Sequence, residues 1–182
     1  MEVVCKVKSP KRRVLLIHSW WGLTQSFRDY AERLSGEGFA VGLSDLFDGQ
    51  TASEIEDAKR LRRMPRKTPM YKSLLSDIGE LLAFGKHGAQ TVDLVGFSMG
   101  GHWAVWLSQQ SDLPVRSTVL YYAARAGNYA NSRTSFLAHF AENDPWVSRS
   151  ARRNMERAIS QAKCTYRAFD YPGTGHWFAE SA

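Results

Sequence analysis

Val92-Asp93-Leu94-Val95-Gly96-Phe97-Ser98-Met99-Gly100-Gly101 is the stretch on which the reading of the fold turns. The apolar run at 92–95 reads as a short buried parallel strand. Residues 96–100 fit G-x-S-x-G, the nucleophile elbow. In that motif a strand ends, the chain turns sharply and a helix begins, leaving one serine hydroxyl exposed at the turn. The turn crowds the serine backbone, and Gly96 and Gly100 have no Cβ atoms to clash there. His102-Trp103-Ala104-Val105-Trp106-Leu107 follow at helix-compatible spacing, without Pro or Gly. Strand, elbow and helix together separate this stretch from an ordinary Gly-rich turn.

Outward from the elbow, strand and helix signals alternate. Strands are expected at 13–18, 39–43, 115–121, 135–141 and 163–169. A helix is expected at 24–35, with Phe27, Tyr30, Ala31 and Leu34 on one face and Gly36 and Gly38 ending it. Thr51-Ala52-Ser53-Glu54 has the capping-box form and opens a helix to about residue 63. Thr68-Pro69 opens another, with Pro at its first position and Leu74, Leu75, Ile78, Leu81 and Leu82 as its apolar set. Residues 148–161 form the last predicted helix. Residues 42–50 read as a loop, and 123–133 as the most irregular connection. Alternating β and α predicts an α/β fold, a mostly parallel sheet with helices on both faces. Such sheets bind ligands beyond the carboxyl ends of their strands.

The chain has 182 residues, which points to one domain spanning 1–182. That length can bury roughly 70% of the surface its unfolded chain exposes, so no staples are needed. Cys5 and Cys164 make no disulfide framework. Lys6, Lys8, Lys11, Arg12 and Arg13 break up any signal-peptide pattern, and no apolar run approaches membrane-spanning length. A cytoplasmic protein without a membrane partner is the expectation. The net charge is +6, but the basic residues lie dispersed on predicted helices: Lys59, Arg60, Arg62, Arg63, Arg66 and Lys67, then Arg149, Arg152, Arg153 and Arg157. They read as solvated helix faces. No nucleic-acid motif accompanies them, so no nucleic-acid partner is expected.

Three strand ends carry matching chemistry. Ser98 ends one. Asp144 lies in Ala141-Glu142-Asn143-Asp144-Pro145, after the 135–141 strand. His176 lies in Pro172-Gly173-Thr174-Gly175-His176-Trp177, after the last strand. The order Ser…Asp…His is that of α/β-hydrolases. A neutral serine is a weak nucleophile, so His176 must accept its proton. Asp144 would fix the imidazole tautomer and stabilise the imidazolium. Glu142 is a rival acid two residues away; Asp144 is favoured because it is shorter and the Asn-Asp-Pro turn presents it at the strand end. The amide of Met99 supplies one oxyanion donor, and the loop after the first core strand, near Trp20, is expected to supply the other. His102 and His139 read as structural, and His18 as a candidate to line the pocket. In His18-Ser19-Trp20-Trp21-Gly22 two adjacent tryptophans cannot both face the core, so one packs and one lines the cleft. Trp20, Trp21, Tyr122 and Trp146 are the expected aromatic pocket.

Taken together, these segments resemble the dienelactone hydrolase family of α/β-hydrolases. The carriers are Leu15-Leu16-Ile17-His18-Ser19-Trp20-Trp21-Gly22-Leu23, Tyr30-Ala31-Glu32-Arg33-Leu34 on to Gly38-Phe39, Asp45-Leu46-Phe47, the elbow, Phe140-Ala141-Glu142-Asn143-Asp144, and Gly175-His176. The resemblance implies esterase-type chemistry on a small ester or lactone, a covalent acyl-enzyme, and neither cofactor nor metal. It implies Ser98, Asp144 and His176 as the triad, with Met99 and Trp20 as oxyanion donors. Three positions depart from the family's pattern. Ser98 stands where the well-known members have a cysteine. Ser19 stands where they carry a glutamate facing the resting thiol. Glu180 stands where they carry an arginine that binds the substrate carboxylate, so an anionic substrate would be repelled unless Arg62, Arg63, Arg66 or Arg125 replaces that charge. Family members continue into a final helix, whereas six residues follow His176, so that helix is expected to be missing and the protein to be a monomer or homodimer. A catalytically silent binding module, or a thioesterase or acyltransferase with the same triad, are the alternative readings.

Overall fold

A computed structural model describes residues 1–64 and 68–180. It comprises two compact units, Met1–Asp93 and Leu94–Ala182.

In the first unit, β1 (Glu2–Val4), β2 (Arg12–Ile17) and β3 (Phe39–Ser44) lie in the order β1-β3-β2. β2 and β3 pair in parallel from Arg12↔Phe39 to Ile17↔Ser44, and β1 runs antiparallel to β3. The Val-Leu-Leu-Ile run of β2 is fully buried, as a parallel strand with both faces covered must be. Helix α1 (Gln25–Gly36) connects β2 to β3 and buries Phe27 and Ala31 at helical spacing. Helices α2 (Ile55–Arg63) and α3 (Met70–Ala83) follow.

The helix starts differ from expectation. Thr51-Ala52-Ser53-Glu54 forms no capping box: Glu54 is the N-cap of α2 and its side chain makes no cap hydrogen bond. Pro69 is not the first helical residue. Its ψ of 138° leaves it extended, and α3 starts at Met70. Of the apolar set on α3, Leu74, Ile78 and Leu81 are buried, whereas Leu75 points outward, 39% exposed. The fourth buried position belongs to Asp77, whose carboxylate accepts a 2.6 Å hydrogen bond from Ser44 Oγ. Burial raises its pKa, opposed by that bond. β3 runs one residue further than the reading and supplies that serine.

In the second unit, β4 (Val92–Phe97, beginning just ahead of it), β5 (Val115–Tyr121), β6 (Ser135–Asn143) and β7 (Tyr166–Gly175) are neighbours in that order. Strands β5 and β6 pair in parallel from Ser117↔Ser135 to Tyr121↔His139, and β6 and β7 from Phe136↔Tyr166 to Ala141↔Tyr171. Helix α4 (Met99–Ser108) follows β4, and α5 (Arg149–Gln161) lies between β6 and β7. Ser148 caps α5, its Oγ accepting from Ala151 N–H at 3.1 Å. Phe136, Ala138 and Phe140 of β6 are buried, as are Met155 and Ile159 of α5. The last strand starts three residues later than expected. Lys163 takes a left-handed conformation, φ 58°, and Cys164 N–H closes the helix end onto Ile159 O. Cys164 thus sits in the turn rather than in the strand. After β7 the described chain makes a turn at 177–180.

Candidate active site

β4 is buried along its whole length and ends at Phe97, where the elbow begins. Ser98 takes the turn, at φ 49° and ψ −110°, and is the residue before the first turn of α4. Positive φ costs a non-glycine residue energy that the surroundings must supply. Two contacts hold it: Ser98 N–H donates to Tyr121 O at 3.0 Å, and Ser98 O accepts from His102 N–H at 3.2 Å. Glycine is required on either side. A Cβ on Gly96 would lie 2.5 Å from Gly100 O and 2.7 Å from Gly101 Cα. One on Gly101 would collide with the Ala123 side chain.

Ser98 Oγ lies 2.8 Å from His176 Nε2, and His176 Nδ1 lies 2.8 Å from Asp144 Oδ2. A carboxylate only accepts, so Nδ1 carries the proton and donates it to Asp144. Nε2 is then free to accept from the serine hydroxyl. The His176 and Asp144 side chains are each only 4% exposed. The second oxygen of Asp144 accepts from the backbone N–H groups of Trp146 (2.8 Å) and Val147 (3.0 Å), which orients the carboxylate from behind. Burial pulls the pKa of His176 below the ordinary histidine value, opposed by the hydrogen bond to Asp144 and by its charge. Glu142, the rival acid, points elsewhere: its Oε2 accepts from Gly173 N–H at 2.8 Å.

Tyr122 and Trp146 flank the imidazole, with ring centroids 4.8 Å and 6.3 Å from it. They differ in exposure. Trp146 is half exposed and meets the Trp177 ring at 5.9 Å. Tyr122 is fully buried, so it packs behind His176 instead of lining an open pocket. It too has positive φ, 39°, and its hydroxyl donates to Glu180 Oε1 at 2.6 Å. Burial, and then the Glu180 charge, push its pKa far up, so the phenol keeps its proton. Trp177, just after His176, is a third strained residue at φ 67°. Ser98, Tyr122 and Trp177 thus place left-handed, non-glycine backbone just beyond the ends of β4, β5 and β7, the pattern expected where strain serves a site.

In the first unit, Trp20 is buried and Trp21 half-buried, their rings edge to face at 5.7 Å. Their turn is set by Gly22 at φ 87°, where any side chain would strike Gln50 O. Ser19 Oγ accepts from Trp21 N–H at 3.3 Å. His18 lines no pocket. It is fully buried, with Nδ1 donating to Ser19 O and Nε2 accepting from Leu46 N–H at 2.9 Å. It ties the end of β2 to the loop after β3. Both of its nitrogens are used in the neutral form, leaving none for a substrate.

The basic residues are mostly solvated faces. Lys59 and Arg60 pair with Glu56 and Asp57 along α2. Arg152 pairs with Asp170 and lies 3.9 Å over the Phe140 ring. Arg62 and Arg63 are exposed, Arg125 reaches the His102 carbonyl at 3.5 Å, and Arg66 and Lys67 lie outside the described residues. Among the described residues no cluster of three His, Cys, Asp or Glu side chains could hold a metal ion. No described helix is long and apolar enough to cross a membrane.

The model of the dienelactone hydrolase family matches residues 2–182. A Synechocystis protein named "Putative carboxymethylenebutenolidase" is 23% identical over 186 residues, covering 91% of this chain and 74% of that protein. The solved structure of m3DLH superposes with a TM-score of 0.79 at 20% identity, covering 95% of this chain and 75% of that one. The crystal structure titled as the dienelactone hydrolase-like promiscuous phosphotriesterase P91, from metagenomic libraries, gives 0.79 at 18% identity, covering 93% and 73%. At such identities the structural likeness shows the α/β-hydrolase fold and no more.

Proposed function

The chain belongs to the dienelactone hydrolase family, hydrolases of esters and lactones, and from that premise we propose that it cleaves small carboxylic esters or lactones through a Ser98 acyl-enzyme. The observation that carries the proposal is the continuous chain Ser98–His176–Asp144, with two 2.8 Å hydrogen bonds and a buried acid. As His176 Nε2 takes its proton, Ser98 Oγ attacks the substrate carbonyl carbon. Asp144 remains ionised and steadies the imidazolium. The oxyanion is received by the Met99 amide, at the positive end of α4. His176 then returns the proton to the departing alkoxide. In a lactone that alkoxide stays tethered to the acyl group. Water, deprotonated by His176, releases the acid and restores the serine. The triad side chains and main-chain amide donors carry every step, and neither a cofactor nor a nucleic-acid or membrane partner is invoked. Both cysteines are free thiols, in keeping with a cytoplasmic setting.

Mixing the enzyme with p-nitrophenyl acetate is expected to give a burst of p-nitrophenolate stoichiometric with active sites, followed by slower turnover. Linear release with no burst, together with no trappable acyl group, would contradict the acyl-enzyme.

His176 must be neutral to accept the proton. Its pKa lies below the ordinary value of 6.5, through burial first. Activity should therefore rise with pH along an acid limb whose midpoint lies below 6.5 in a kcat/KM profile. A midpoint above 7 would contradict the burial of the base.

Glu180 accepts from the Tyr122 hydroxyl, and the Tyr122 ring lies 4.8 Å from that of His176, which brings a carboxylate toward the reacting centre. The proposed substrates are therefore neutral. An ester bearing a free acyl-side carboxylate is expected to react about tenfold more slowly in kcat/KM than its neutral analogue, since about 1.4 kcal/mol is a modest repulsion near a protein surface. Glu180→Gln should narrow that gap. Equal rates on both esters in the wild type would remove Glu180 from specificity.

A further inference from the structure

We propose that Glu142 is a positioning residue for His176, acting through the Gly173 amide. The inference rests on the acyl-enzyme reading above. It starts from an irregularity in the β6–β7 ladder. The two strands pair residue for residue up to Ala141↔Tyr171, and their next pair is Asn143↔Gly175. One residue on β6, Glu142, therefore faces three on β7: Pro172, Gly173 and Thr174. Asp144 and His176 are the residues immediately beyond the rejoined pair. The excursion sets how far His176 has advanced when the strands meet again, and the 2.8 Å contact between imidazole and carboxylate depends on that advance. Bulges of this kind re-aim side chains next to active sites.

An excursion frees backbone groups that the ladder no longer satisfies. Pro172 has no N–H to lose. Thr174 Oγ1 donates to Tyr171 O at 2.7 Å and closes the loop on itself. Gly173 N–H would be left over, and Glu142 Oε2 accepts it at 2.8 Å, a hydrogen bond to a charged acceptor and so of the stronger kind. Gly173 stands at φ 73° with open space where a Cβ would be, so glycine is needed there for its backbone conformation and not for room. The β6 residue opposite the excursion thus fastens it. Arg149, Arg152 and Arg153 of α5 and Asp170 of β7 line the same groove as Glu142.

The test compares Glu142→Ala, Glu142→Gln and Glu142→Asp with the wild type on p-nitrophenyl acetate. Turnover is expressed per active site titrated by the burst. Gln keeps an oxygen at the same reach. Asp keeps the charge and withdraws the oxygen. Ala keeps neither. Ala and Asp should lose about tenfold in kcat per titrated site with KM within about twofold, and Gln should stay within about twofold of wild type, because small misplacements of a reacting group cost one to two orders of magnitude. A residue that only stabilises the fold would lower the burst amplitude and leave turnover per site unchanged, and that result overturns the inference. So does an equal loss in Gln and Ala. A Ser98→Ala control with undiminished turnover would instead overturn the acyl-enzyme reading, which separates the two failures.

Discussion

Ser98→Ala is expected to lower kcat/KM for a short-chain p-nitrophenyl ester by about 10⁴-fold or more, with the far-UV spectrum and melting temperature close to wild type. The size follows from the role: without Oγ the chemistry reverts to direct attack by water, leaving only oxyanion binding and proximity. The fold should survive because the strain at Ser98 resides in its backbone, which alanine shares, and because both contacts that hold the turn are main-chain hydrogen bonds to Tyr121 O and from His102 N–H. His176→Ala should cost nearly as much. The double variant should be no worse than either alone, since Ser98 and His176 act as one unit. A parallel loss of rate and of melting temperature would show that the hydroxyl is structural.

The second large effect concerns folding. Gly96→Ala is expected to destabilise the protein by about 4 kcal/mol or more, a fall of roughly 10 °C in melting temperature, or to leave it insoluble. The added methyl would sit 2.5 Å from Gly100 O and 2.7 Å from Gly100 C and Gly101 Cα. All three are backbone atoms of the turn into α4, so no rotamer change relieves the clash. Moving α4 away would break the Ser98–His102 bond and displace Gly101 from Ala123. Gly173→Ala is a useful contrast. That site also has positive φ but open space around it, so it pays strain without collision and should cost only about 1 kcal/mol. Thermal denaturation followed by circular dichroism distinguishes the two. A Gly96→Ala protein as stable as Gly173→Ala would mean that the elbow can open.

The elbow was legible in the sequence because its constraints are local. A buried strand, two small residues and a helix without breakers can be read within ten positions, and the observed φ of Ser98 answers to them. Asp144 and His176 were legible through chain order and through their places at strand ends. The choice between Asp144 and Glu142 followed from side-chain length, and the structure puts the two carboxylates to different uses. What was not legible depends on register. Nothing in Pro172-Gly173-Thr174 tells how many residues β7 spends against one of β6, so neither the bulge nor the tie to Gly173 could be foreseen. The same holds for the parallel rings of Phe97, Tyr121, His139 and Phe169, which stack across four strands only because the pairing aligns them. Tyr122 was read as a pocket wall because it is aromatic and follows a strand. Its burial comes from a left-handed turn that no residue type signals. Helix starts were misplaced where the capping signal was present but an extended backbone put the N-cap at Glu54, three residues after Thr51, and the first turn at Met70, one residue after Pro69.

Ser98, as the proposed nucleophile of an acyl-enzyme, should be the one residue that a fluorophosphonate modifies, which intact-mass and peptide mass spectrometry would read out. The predicted result is a single adduct, on the peptide holding Ser98, whose formation stops hydrolysis in proportion to labelling and fails in His176→Ala. An adduct on another residue, or continued hydrolysis by protein fully labelled at Ser98, would contradict the account.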